Sequence, residues 1–326
     1  MLNLIAGGVL AAALAAAPQT DTTFAVQPGA RLDLNNMGGE IVIRAWDRSA
    51  VRVEAEHSSR TRVEVQNTGS VVRVRARSQF GPANIVDYRI TVPASMALDL
   101  SGMYSDIQVE GTRAEVKAQT VQGEITIRGG QNVSARSVQG QVTVRGARGN
   151  VRVHSTSEDV HVAESSGEIM VETVSGDAVL ERIDSRRVEA GTVSGDVFYD
   201  GSLQNGGRYS FVSHSGDVTA VVPAGANATV SVATMSGDLD ASFSLPSIDE
   251  ERRRRYSFTL GSGSAELEME TFSGDIRLRR PGEVRPRLRE DPDERRPPRA
   301  PRPPREPGVS AEPREVPRPP RNPDAR

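Results

Sequence analysis

TVSGDVFY (192–199), preceded two and four residues upstream by Ala190 and Val188, is the stretch that decides the fold. Counting from Gly195 as zero, apolar residues stand at −7, −5, +2 and +4, with Thr192 at −3. Spacing by two is the period of a β-strand, whose alternate side chains share one face. The Gly-Asp pair between the two alternating runs reads as a tight turn, since glycine adopts positive φ freely and aspartate bonds to nearby backbone. The unit is therefore two short strands joined by a turn.

The phrase recurs as TVQGEITI (120–127), SVQGQVTV (137–144), TVSGDAVL (173–180), SHSGDVTA (213–220), TMSGDLDA (234–241) and TFSGDIRL (271–278). The frame survives where the glycine is lost. Glu158 occupies the slot between Val151, Val153 and Val160, Val162, and Ser105 between Leu98, Leu100 and Ile107, Val109. Gly39 is framed by Leu32, Leu34, Ile41 and Ile43. Ten slots result: 39, 105, 123, 140, 158, 176, 195, 216, 237 and 274. From 105 to 237 they are 17 to 21 residues apart. A fixed period of this length means stacked small units rather than one mixed core.

Two strands and two turns in 18–21 residues make one coil of an all-β, β-solenoid (parallel β-helix-like) array, with Val, Ile and Leu ladders inside. Stacked at the interstrand spacing, eight such coils extend about 40 Å. A meander of antiparallel hairpins is the alternative architecture. A four-stranded propeller blade needs about 40 residues and is excluded. No stretch of the body carries a capped 3.6-residue pattern, so no helix is expected there.

The regions outside the frame differ in composition. Residues 1–17 (MLNLIAGGVLAAALAAA) carry an apolar run too short to span a bilayer, followed by small residues, and read as a secretory signal peptide with a linker at 18–29. The absence of cysteine excludes a disulfide framework, a cysteine nucleophile, thiolate metal sites and a lipidated N-terminal cysteine. No later segment is apolar enough to be an integral span, so none is expected once the signal is removed. Residues 281–326 hold 14 of the 20 prolines and 12 arginines against 9 acidic residues. That stretch cannot bury enough surface to offset ordering entropy and reads as a disordered tail. Its charge of +3 leaves −6 on the rest of a chain whose net charge is −3. Within the repeat domain, 30–280, residues 51–92 depart from the frame but still alternate (VRVEAEH, RTRVEVQ, SVVRVRARS, YRITVP). They read as a non-repeat antiparallel β insert or N-terminal cap, which an open solenoid end requires.

The residues that tempt a functional reading are few. Asp177, Asp196, Asp217, Asp238 and Asp275 follow the slot glycines and would form a column in register. Turn chemistry accounts for them, and a Ca²⁺ ladder is the competing reading. The glycine-rich nonapeptide of Ca²⁺-binding β-rolls is absent, and Gln141 and Ser157–Glu158–Asp159 interrupt the column. His154 and His161 flank one turn and could approach each other, while His57 and His214 stand apart. Arg252–Arg255, in SIDEERRRRYS, could hold a phosphate or sulfated sugar, or form a solvated loop balanced by Asp249, Glu250 and Glu251. GSGSAE (261–266) reads as a turn. No nucleophile elbow, zinc-protease helix, P-loop or dinucleotide fingerprint occurs, so no catalytic, cofactor-binding or metal residue is assigned, and the binding residues are not identified.

The TVSGDV-type phrases at 173–178, 192–197, 213–218, 234–239 and 271–276 resemble the bacterial β-strand-repeat family called putative adhesin, or domain of unknown function 4097, over roughly residues 30–280. The resemblance implies a solenoid-like, non-catalytic envelope protein, sometimes linked to envelope-stress signalling, without cofactors and without catalytic positions to carry over. Two functions remain. One is an exported structural or interaction module in the periplasm, at the cell surface or outside the cell. Its expected partners are envelope proteins or anionic envelope polymers, not nucleic acid. The other is a carbohydrate-active β-helix enzyme, a lyase or hydrolase. Such an enzyme needs clustered carboxylates beside aromatic platforms. One tryptophan, Trp46, and evenly spaced acidic residues argue against it.

Overall fold

The computed structural model describes residues 19–284, except 79–80, 82–84, 246–248 and 252–254. The signal-peptide reading of 1–17 and residues 285–326 of the tail lie outside the described residues. So do Arg252, Arg253 and Arg254 and the side chains of Asp249, Glu250 and Glu251. Among the described residues there is no helix, and 24 strands join in one sheet system.

The N-terminal part holds β1 (Gln19–Ala25), β2 (Arg31–Trp46), β3 (Ala50–Glu56), β4 (Thr61–Asn67), β5 (Val71–Ser78), β6 (Asp87–Pro93) and β7 (Ala97–Glu110). Paired strands follow: β8 (Val116–Gln122) and β9 (Ile125–Arg128), β10 (Val133–Gln139) and β11 (Val142–Arg145), β12 (Arg148–Ser155) and β13 (Val160–Ala163). Then come β14 (Ser166–Glu172), β15 (Ala178–Ser194), β16 (Val197–Gly201), β17 (Arg208–Ser215) and β18 (Val218–Val221). The C-terminal part holds β19 (Ala228–Ser236), β20 (Leu239–Ala241), β21 (Asp249–Glu251), β22 (Arg255–Leu260), β23 (Ala265–Ser273) and β24 (Ile276–Arg279).

Each coil gives its −7/−5 residues to one parallel ladder and its +2/+4 residues to a second. In the first ladder Val116 pairs with Val133, Val133 with Val151, and Val188 with Tyr209. In the second, Ile107 pairs with Ile125, Ile125 with Val142, and Val197 with Val218. The framed residues are buried and form one continuous core; only Leu239 and Ala241, at the C-terminal end, are partly exposed. The chain is thus a parallel β-solenoid, and the meander is ruled out.

The motif letters are explained by contacts between neighbouring coils. The −3 hydroxyl donates to the slot carbonyl of the coil below: Thr120 to Ser105 O (3.0 Å), Thr192 to Gly176 O (2.9 Å) and Ser213 to Gly195 O (2.9 Å). The +1 carboxylate accepts the +1 backbone N–H of the coil above. Asp177 accepts from Asp196, Asp196 from Asp217, and Asp217 from Asp275, each at 2.8 Å. The expected reason for glycine holds only in part: Gly39, Gly123 and Gly140 have φ of 103°, 144° and 159°, whereas the glycines followed by aspartate do not need it. Gly176, Gly195, Gly216, Gly237 and Gly274 have no positive φ. Instead, a Cβ on each would lie closer than 3.0 Å to a slot carbonyl of the adjacent coil. Positive φ is required six residues on, at the corner, where Gly111, Gly129 and Gly146 stand, and where Glu164 and Arg182 adopt φ of 52° and 51°.

Two expectations are corrected at the ends of the stack, and a third feature has no counterpart in the sequence reading. First, residues 71–92 are not outside the repeat. Val72 and Val74 pair with Leu32 and Leu34, and Tyr88 and Ile90 with Ile41 and Ile43. They form an eleventh coil with Val86 in its slot, where Asn36 Nδ2 donates to Val86 O (2.8 Å) and Glu40 N to Asp87 Oδ1 (2.9 Å). Extra residues between β5 and β6 push its two halves apart in sequence and hide the frame. Second, the 18–29 linker contains β1, antiparallel to β3. Alternating Thr20, Thr22 and Phe24 can extend an edge that would otherwise stay open. Third, the coils do not stack in sequence order. β2 lies between the β5/β6 coil and β7, and β23 lies between β17 and β19. Antiparallel strands close both ends, with β3 on β6 and β4 on β5 at one end and β22 on β19 at the other.

Candidate interaction surface

The alternation that buries −7, −5 and −3 turns −2 outward at the end of the first strand in the ten coils whose −2 residue is described. Stacking then aligns these residues in the order Met37, Met103, Val121, Val138, Thr156, Val174, Val193, His214, Phe272 and Met235. Eight of the ten are large and apolar, with exposures from 38% at Met37 to 63% at Met235. Twelve large apolar side chains are exposed among the described residues. Eight of them are this column, and Ile85, Tyr104 and Val212 adjoin it at −1 or −4. Scattered exposed hydrophobes need no explanation, but a contiguous row marks an interaction surface.

The column ends in a groove of about 470 Å³ lined by Ala233, Thr234, Met235, Arg255, Glu270, Thr271 and Phe272. His214 stacks on Phe272 at 4.9 Å between ring centroids. Arg255, the last of the arginines offered as an anion site or a solvated loop, opens β22, and the groove brings it to the end of the apolar row. On the other side of the turn the row is bordered by the +1 carboxylates. Each of these, where a bond is described, is engaged by a backbone N–H of the next coil. Arg277 also bridges Asp217 and Asp275. Among the described residues no group of three or more His, Asp or Glu is arranged to hold a metal ion.

The histidines are not brought together. His154 faces Glu172 (3.5 Å) in the first ladder, while His161 pairs with Glu181 (2.8 Å) on the outer face of the second. His57 meets Thr20 Oγ1 at 3.0 Å. His161 is buried beside Val179, which belongs to a small apolar cluster with Phe198 and Val221, and Asp200 lies two coils from His161, opposite Glu181. Burial holds its imidazole below the ordinary histidine range, outweighing the opposing attraction of Glu181, with Arg145 and Arg182 adding repulsion. Burial, then repulsion from Glu181, raises the Asp200 carboxyl.

A lowered folded-state pKa means the unfolded chain takes up the His161 proton more readily. Stability present above the ordinary pKa of about 6.5 is therefore lost as pH falls through the folded value. Asp200 acts with opposite sign, costing stability as pH rises above the ordinary aspartate range. Thermal unfolding between pH 7.5 and 5.5 should thus fall more steeply for the native chain than for His161→Gln. Parallel slopes for the two proteins would show that His161 is not the titrating group.

Sequence reasoning missed the apolar row, although its signal stands inside the phrase as the second letter of TVSG, TMSG and TFSG. A family model described as Toastrack DUF4097 matches residues 30–279. Among solved structures, a putative adhesin from Parabacteroides merdae is 6% identical, with 80% of this chain and 95% of that chain covered and a TM-score of 0.41. A putative adhesin from Bacteroides fragilis is 11% identical, with 80% and 97% covered and a TM-score of 0.38. A putative cell adhesion protein from Clostridium sporogenes is 11% identical, with 81% and 100% covered and a TM-score of 0.23. No curated protein matches the chain.

Proposed function

The chain belongs to the Toastrack DUF4097 family, and from that premise we propose that it is a non-catalytic, exported cell-envelope module that binds other macromolecules through the −2 apolar row. The observation that carries this reading is the concentration of exposed large apolar side chains in one column. Burying such a row contributes about 25 cal/mol per Å² of apolar surface, so even partial coverage along several coils is worth several kcal/mol. The hydroxyls, glycines and carboxylates of the repeat phrase are occupied in joining coils, which leaves the row as the part of each unit that contributes least to the stack. Export is supported by the apolar, small-residue leader at 1–17.

The enzyme reading would need acid and base groups converging on an open site. Among the described residues His161 and Glu181 form an acid–base pair, but His161 is buried with its proton affinity lowered. The test is site-specific photo-crosslinking in living cells from Val174, in the row, and from Arg152, exposed on the outer face of the first ladder. Discrete adducts from 174 and none from 152 are expected. Adducts from neither position, or glycan cleavage by the purified protein, would overturn the proposal.

A further inference from the structure

We infer that the groove at the C-terminal end of the row binds a free α-amino acid with an apolar side chain. This goes beyond the binding of macromolecules along the row and stands without it.

The floor of the groove is Ala233 of β19, which pairs with Arg255 of β22 on one side and Glu270 of β23 on the other. Paired residues of neighbouring strands share a face of the sheet. Guanidinium, methyl and carboxylate therefore stand in line across three strands and border one space of about 470 Å³. That volume suits a small molecule, whereas a protein partner needs a far wider contact. Among the described residues neither Arg255 nor Glu270 makes a hydrogen bond or an ion pair. Opposite charges on adjacent strands of the same ladder do pair, as Arg208 with Glu266 and Arg187 with Glu168. Here Ala233 stands between them and keeps a cation and an anion apart, both open to a ligand.

The separation selects the ligand. Strands lie about 4.8 Å apart and their side chains rise perpendicular to the sheet, so two spacings hold the charges about 9.6 Å apart. In an α-amino acid the ammonium nitrogen and the carboxyl carbon are about 2.5 Å apart. With the carboxyl C–O bond and a hydrogen bond of about 2.9 Å at each end, the zwitterion reaches across about 9.5 Å. A dipeptide is longer by about 3.8 Å and overshoots. A simple anion would satisfy Arg255 and set like charge against Glu270, and a simple amine would do the reverse. The ligand α-carbon then lies over the small Ala233 side chain. Two residues along the strands, about 6.7 Å away, stand Met235 and Phe272, both exposed, with His214 stacked on the Phe272 ring. A leucine or phenylalanine side chain on that α-carbon comes into contact with them.

The test is titration calorimetry of the full-length protein with L-leucine, leucinamide, N-acetylleucine and dileucine. Leucine should bind saturably and at least about tenfold more tightly than each of the other three. Arg255→Gln should weaken leucine about tenfold and leave leucinamide, which has no carboxylate, unchanged. Glu270→Gln should weaken leucine equally and leave N-acetylleucine, which has no ammonium group, unchanged. Both side chains are exposed, so the unfolding temperature should not move. If either variant does not fold, the four ligands on the native chain read the same recognition. No saturable binding of leucine, or a blocked derivative binding as tightly as leucine, would sink the inference. Tighter binding of dileucine would overturn it by making a peptide the occupant. The Val174 crosslink depends on none of these results, so the proposed function stands or falls separately.

Discussion

Gly216→Ala should destabilise the protein by about 3–5 kcal/mol, a cost that belongs to the backbone-clash class of large effects. The added methyl would lie closer than 3.0 Å to the carbonyl of Gly195, and that neighbour is backbone, not the movable end of a side chain. Relief requires the coils to separate locally. Separation strains the Ser213 hydroxyl bond to Gly195 O and the Asp196 bond to Asp217 N, so two inter-coil hydrogen bonds fail together. Gly191→Ala, one coil away in β15, isolates the cause. Its Cβ would meet only Val212 O, at 3.8 Å, and its φ is not positive. There the substitution should be neutral or stabilise by a few tenths of a kcal/mol through the unfolded chain. Urea unfolding midpoints compare the two. Matching midpoints for Gly216→Ala and Gly191→Ala would mean that close approach between coils is not what selects glycine in the slot.

Phe211→Ala should cost about 3–5 kcal/mol, the range for emptying a fully buried aromatic site. In two neighbouring coils the core ladders balance volume between the −5 and +4 positions. In the coil of slot 195 the −5 residue is Ala190 and the +4 residue is Tyr199; in the next, −5 is Phe211 and +4 is Ala220. All four are buried, and Tyr199 and Phe211 meet with ring centroids 4.7 Å apart. Truncation at 211 leaves both positions of one coil small, and the neighbouring rings can close the gap only partly. Adding Ala220→Phe to Phe211→Ala should therefore recover part of the loss, although Ala220→Phe alone should overpack the coil and destabilise it. Strict additivity of the two substitutions in thermal or urea unfolding would refute the volume balance.

What sequence could reveal here was local. The alternation around Gly123 or Gly195 is complete within about a dozen residues, so coil, turn and core face could all be read from it. The order of coils could not, because every unit offers the same −7, −5, +2, +4 register. Nothing in the residues around Gly274 says that its coil seats between those of Gly216 and Gly237. The coil around Val86 escaped because an insertion separates Val74 from Tyr88, and its slot holds valine. Gly-Asp suggested a left-handed turn, and only the stacked backbones show that crowding by the neighbouring carbonyl is the constraint. Val121, Val138 and Val193 stood in plain view, but an apolar residue beside a turn, out of phase with the core, carries meaning only once eight of them are aligned in one column.

The seating of β23 between β17 and β19 has a mechanical consequence. In a solenoid stacked in chain order, tension on the C-terminal end peels off the last coil, one row of hydrogen bonds at a time. Here the last strands, β23 and β24, are the penultimate layer, gripped on both sides by β17 and β18 and by β19 and β20. Tension applied beyond residue 280 loads two interfaces at once and along the strands, as shear. The terminal coil acts as a clasp over the strand that bears the load.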